Sequence, residues 1–93
     1  MATGTAVLDF TSTPSDQATI LVTGLSGLSV ATHKEAFVQG DDTEGTSDET
    51  DHQFLSFVGR FNCAYVSATT MNINCHLIFG LATGTFKVHY VTV

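Results

Sequence analysis

Six acidic side chains, Asp41, Asp42, Glu44, Asp48, Glu49 and Asp51, crowd into one short stretch of this chain. Carboxylates in a loop punctuated by glycine are calcium ligands by type. The EF-hand spacing is absent, since Asp-x-Asp-x-Asp-Gly cannot be laid on Asp41 to Gly45. The expectation is a solvated, mobile loop, with calcium binding or docking on a neighbouring copy as the alternatives. The two cysteines, Cys63 and Cys75, form no Cys-x-x-Cys motif, which leaves redox catalysis and a four-ligand zinc site without support. In apolar surroundings a free cysteine behaves as a small core hydrophobe, so both are expected to be reduced. Serine, histidine and aspartate are present, but no Gly-x-Ser-x-Gly or other placing motif accompanies them. Gly24-Leu25-Ser26-Gly27 reads as a turn rather than a phosphate cradle. Neither an enzyme nor a cofactor is expected.

Composition narrows the partners. The formal charge is −6, from three cationic and nine acidic side chains. Phosphate neutralisation needs Lys and Arg, so nucleic-acid binding is not expected. No run reaches the roughly 20 apolar residues of a membrane helix. The opening Met1-Ala2-Thr3-Gly4 lacks the basic and apolar regions of a signal peptide, which leads us to expect a protein kept or assembled in a cytoplasm. Only 13% of the residues are charged while 43% are hydrophobic, so the surface is dominated by Thr, Ser, Asn and Gly. Such a surface suits partial covering by copies of itself or by a partner.

Alternation of apolar and polar residues dominates the chain and predicts strands. Thr5–Thr11 and Ala18–Thr23 alternate and end in turn residues, and a third strand is expected over about Leu28–Val38. The polar stretch 39–53 has no period. Three further strands are expected over about Phe54–Ser67, Met71–Gly80 and Thr85–Val93. A helix over Asp48–Val58, capped by Ser47 or Asp48, is the competing reading there. The aromatic residues and Gly59 favour strand.

Two turns then set registers. A loop at Ala68-Thr69-Thr70 with Ser67 facing Met71 puts Cys63 opposite Cys75, Tyr65 opposite Ile73 and Phe61 opposite Leu77. A turn at Leu81–Gly84 puts Phe79 against Phe86, Leu77 against Val88, Cys75 against Tyr90, and His76 against His89. Side chains alternate between faces, so both turns select one apolar face: Phe57, Phe61, Cys63, Tyr65, Ile73, Cys75, Leu77, Phe79, Phe86, Val88 and Tyr90. Leu8, Phe10, Ile20, Val22, Val30 and Phe37 would cover it. The fold class expected is all-β, a single antiparallel β-sandwich of about six strands, immunoglobulin-like or jelly-roll-like, forming one domain over residues 1–93.

The opposite face would gather Arg60, Asn62, His76, Ile78, Lys87 and His89. Two of the three permanent cations and two imidazoles on one face make a candidate partner-contact surface. Two histidines are too few for a closed zinc site, and no metal is expected.

Three stretches carry a resemblance: Ala-Val-Leu-Asp-Phe-Thr-Ser-Thr-Pro (6–14), Thr-Ile-Leu-Val-Thr-Gly (19–24) and Gly-Leu-Ala-Thr-Gly-Thr-Phe-Lys-Val-His-Tyr-Val (80–91). The chain resembles small structural proteins of tailed bacteriophages. The resemblance implies a virion structural protein, most readily a capsid decoration (cement) protein that binds the major capsid protein or another virion protein. It points to a homo-oligomer, with a homotrimer favoured. The alternative it leaves open is a tail or head fibre component, or a baseplate module, that binds a host receptor or glycan. A sugar site ordinarily wants exposed aromatic rings, and Phe54, beside His52 and the acidic loop, is the one ring not assigned to the core.

Overall fold

The computed structural model describes residues 2–93. Six strands and one helix follow one another: β1 (Ala2–Asp9), β2 (Gln17–Val22), β3 (Lys34–Phe37), α1 (Glu49–Val58), β4 (Gly59–Ser67), β5 (Thr70–Leu77) and β6 (Thr85–Thr92). They form two three-stranded antiparallel sheets, ordered β1-β6-β3 and β2-β5-β4. The all-β sandwich is therefore present, with a short helix added.

The core lies between the sheets because alternate side chains of each strand point inward. Leu8, Phe86 and Val88 come from the first sheet, and Val22, Met71, Ile73, Cys75 and Leu77 from the second. Phe10, just beyond β1, meets Phe86 edge-on with ring centroids 5.5 Å apart. That arrangement sets the positive ring edge against the negative face of its partner.

The helix replaces the strand expected at Phe54. Two reciprocal hydrogen bonds start it: the Asp51 N–H donates to Asp48 Oδ1 at 3.0 Å, and the Asp48 N–H donates to Asp51 Oδ2 at 2.9 Å. This capping box satisfies donors that an uncapped helix leaves orphaned. His52 and Leu55, three positions apart, form its buried stripe. Gly59 marks the end of the helix rather than a strand interior. A Cβ there would lie 2.7 Å from the Leu55 carbonyl oxygen, so only glycine lets the chain turn directly into β4.

Three other expectations shift. The third strand shrinks to four residues, because Leu25 and Leu28 donate their N–H groups to the Thr69 and Ala68 carbonyls and are pinned beneath the β4–β5 turn. That turn is tighter than expected and follows a bulge at Val66, so Tyr65 faces Met71, Cys63 faces Ile73 and Phe61 faces Cys75. The ladder has slid by two positions, which keeps every side chain on its expected face but separates the two cysteines. Both are free thiols.

The last correction is topological. The segment after β5 is no hairpin: β6 lies in the other sheet, so neither Phe79 with Phe86 nor His76 with His89 is a pair. Residues of that segment bond instead to the β1–β2 connection, through Ser15 with Ala82 and Thr11 with Gly84. Gly80 and Gly84, at φ 81° and 82°, take the left-handed conformations that this crossover requires. Of the residues assigned to the apolar face and its cover, Phe57, Tyr65, Phe79, Val30 and Phe37 are exposed.

Asp48→Ala removes the cap without touching the core. We expect a loss of about 1 kcal/mol, read as a melting temperature lower by roughly 4–8 °C in a domain of this size. An unchanged melting temperature by circular dichroism would show that the box does not hold the helix.

Candidate functional site

The six residues expected to share a face divide between the two sheets. Arg60, Asn62 and His76 lie on the outer face of β2-β5-β4, and Ile78 continues that face just beyond β5. Lys87 and His89 belong to β6 in the other sheet. His89 is committed internally: its ring stacks on Phe37 at 5.5 Å, and its Nε2 lies 2.5 Å from Asp42 Oδ2.

That contact also changes the reading of the acidic loop. Asp42 is tied to β6, and Asp48 and Asp51 cap α1. Glu44 sits in a tight turn whose ends exchange backbone hydrogen bonds with Ser47. The stretch is built into the fold at these positions. Among the described residues, no group of three or more metal-ligating side chains gathers there or elsewhere.

His52 is the residue that sequence reasoning missed. Its side chain is fully buried against Phe86, with ring centroids 5.2 Å apart. Nε2 accepts the Lys87 backbone N–H at 2.9 Å, and Nδ1 lies 2.9 Å from the Asp48 carbonyl oxygen. Because Nε2 accepts, the proton is on Nδ1 and is donated to that carbonyl. The signal was available: His52 stands four residues after the cap and three before Leu55, on the buried stripe of the helix.

Two surfaces remain. One is an apolar end where α1 meets the β5–β6 connection. The Ile78 N–H donates to the Val58 carbonyl at 2.9 Å, and Phe54 lies beside Gly80. Phe57 and Phe79 are 82% and 72% exposed, with Ile78 and Leu81 also open to solvent. Asp51 borders this end, lining one depression with Phe54 and Leu81.

The other is a shallow groove of about 880 Å³ across the outer face of β2-β5-β4. Its side chains stand in cross-strand rows: Gln17, His76 and Arg60, then Thr19, Asn74 and Asn62. In the second row the Thr19 hydroxyl donates to Asn74 Oδ1 at 2.9 Å, and Asn74 Nδ2 donates to Asn62 Oδ1 at 3.0 Å. His76 lies 3.8 Å from Asp16, and no ion pair involves Arg60 among the described residues.

Comparison with protein-family models, curated proteins and solved structures finds no match to this chain.

The thiols are chemically quiet. Burial pushes Cys75 up to about 12, and burial likewise raises Cys63, opposed in part by the nearby Lys34 charge. At pH 8 neither is a ready nucleophile, since the thiolate is the reactive form. The native protein should react with a disulfide reagent far more slowly than the unfolded chain; labelling of Cys75 at the unfolded rate would contradict its burial. The folded state holds the Cys75 proton more tightly than the unfolded one, so its contribution to stability is full below about pH 9 and is lost as pH rises towards 12.

His52→Phe keeps the bulk but strands the Lys87 N–H and removes a donor from the Asp48 carbonyl. A buried unpaired donor costs about 1–3 kcal/mol, so urea unfolding should show a clear drop in midpoint. A variant as stable as the parent would mean that water replaces the imidazole.

Proposed function

We propose that this chain is a structural protein of a tailed-bacteriophage virion, a capsid decoration protein that seats on the shell through its apolar end. The exposed cluster of Phe54, Phe57, Ile78, Phe79 and Leu81 carries this reading. Exposed apolar side chains gathered at one end of a molecule beside charged residues are a mark of a protein contact. Rings that stand most of the way into solvent contribute little to the fold and are free to fill pockets of a partner.

Charge indicates the kind of partner. Asp51 borders the patch and Glu49 lies in the first turn of the same helix. Two copies meeting through this end would oppose carboxylates, so the shell protein is expected to offer an apolar pocket rimmed by Lys or Arg. Oligomers, a trimer among them, would then form by contacts elsewhere on the subunit. The phage resemblance in the sequence and the low surface charge support the reading further.

Phe57→Ser combined with Phe79→Ser tests it. Each ring loses about 1.5–3 kcal/mol of burial at a contact, and each 1.4 kcal/mol is about tenfold in affinity. The double variant should fold and melt like the parent yet fail to co-sediment with undecorated heads of the phage that encodes it. Heads that bind parent and variant alike would exclude this end as the contact, and heads that bind neither would sink the decoration reading.

A further inference from the structure

The groove over β2-β5-β4 has chemistry that the shell contact does not use. The geometry points to a binding site for an acidic saccharide, a hydroxyl-rich ligand whose single carboxylate sits at Arg60.

The donor inventory carries the argument. The Thr19–Asn74–Asn62 row consumes one hydrogen of the Asn74 amide and leaves its second hydrogen and both hydrogens of Asn62 unused within the row, on the outer face of the sheet. Those internal bonds also fix the amide orientations, so little freedom is lost when a ligand arrives. The row thus offers spaced donors with acceptor oxygens between them, which matches vicinal hydroxyls through hydrogen bonds alone, without the exposed ring that a sugar site ordinarily uses. The neighbouring row adds the guanidinium of Arg60, a planar fork suited to a carboxylate, with Gln17 and His76 beside it; His76 already lies 3.8 Å from Asp16, so Arg60 is the cation left for the ligand.

Magnitudes choose between occupants. The acidic loop of a second copy would complement Arg60 in sign, but exposed ion pairs are weak and one cation cannot hold two subunits together. A small ligand needs only a dissociation constant on the order of millimolar, within reach of a few directed hydrogen bonds and one charge-assisted pair. The net charge of −6 opposes polyanions at long range. One carboxylate placed against Arg60 is the favourable case.

The site is independent of the apolar end, so its test leaves the shell proposal untouched. Isotope-labelled protein is titrated with 3′-sialyllactose, which carries one carboxylate, and in parallel with lactose, acetate and inorganic phosphate. Backbone amide shifts over residues 17–19, 60–62 and 74–76 should saturate with sialyllactose. Lactose should bind at least about tenfold more weakly, because the Arg60 pair is missing. Arg60→Gln and Asn74→Ala both lie on the outer face, and each should weaken sialyllactose about tenfold while leaving the remaining spectrum in place. Three outcomes overturn the assignment: no saturable shift with sialyllactose, equal shifts with acetate or phosphate, or Asn74→Ala binding like the parent. The first denies the site, the second reduces it to an ion contact, and the third removes the amide row from it.

Discussion

One unfinished sheet edge organises much of this molecule. Strand β6 is central, paired along its whole length with β1 but with only four residues of β3 on its other side. Beyond the Phe37–His89 pair the backbone of β6 would present unpaired donors to the interior, which is costly wherever water is excluded. The chain solves this with a side chain. His52 Nε2 accepts the Lys87 N–H that a longer β3 would have taken, and its Nδ1–H donates to the Asp48 carbonyl oxygen at the start of α1. A helix thus finishes a sheet, and the imidazole is the part that makes the two compatible.

The rest of the 39–58 segment follows from that requirement. His52 must be held at one height, so the helix needs a fixed start, which the Asp48 and Asp51 box provides. The approach to the helix must stay near β6, and Asp42 on His89 anchors it there. Seating α1 by its His52 and Leu55 stripe leaves Phe54 and Phe57 facing away from the core. The exposed aromatic end is therefore a by-product of how the sheet edge is completed, available to a partner at no cost to the fold.

The sandwich and most of the core were legible in the sequence, because alternation reports which face is buried without reporting who the neighbour is. Ile73, Cys75, Leu77, Phe86 and Val88 were placed inward correctly even though β5 and β6 do not pair. A hairpin and a crossover bury the same alternate residues, so two turns agreeing on one face could not tell them apart. The face shared by His76 and His89 depended on the neighbour, and it dissolved for that reason. The helix was visible as an alternative in its cap residues. The aromatic residues of that stretch and Gly59 outweighed it, although of the apolar residues in the helix only Leu55 is fully buried. Exposed rings imitate a strand when burial is assumed from residue type.

The same distinction explains why the two candidate surfaces were unequally readable. Arg60, Asn62 and His76 lie on adjacent strands within one ladder, so a register slip of two kept them on one outer face, and the expected grouping survived in part. The partners that make that face specific, Thr19 and Gln17, come from β2, which reaches β5 only through the sheet order. No local spacing encodes that adjacency. Ile78 joins the surfaces: it continues the β4–β5 ladder past His76, and its N–H closes on the carbonyl that ends α1. The polar groove and the apolar end are consecutive stretches of one ladder, changing character where the strand partner gives way to the helix.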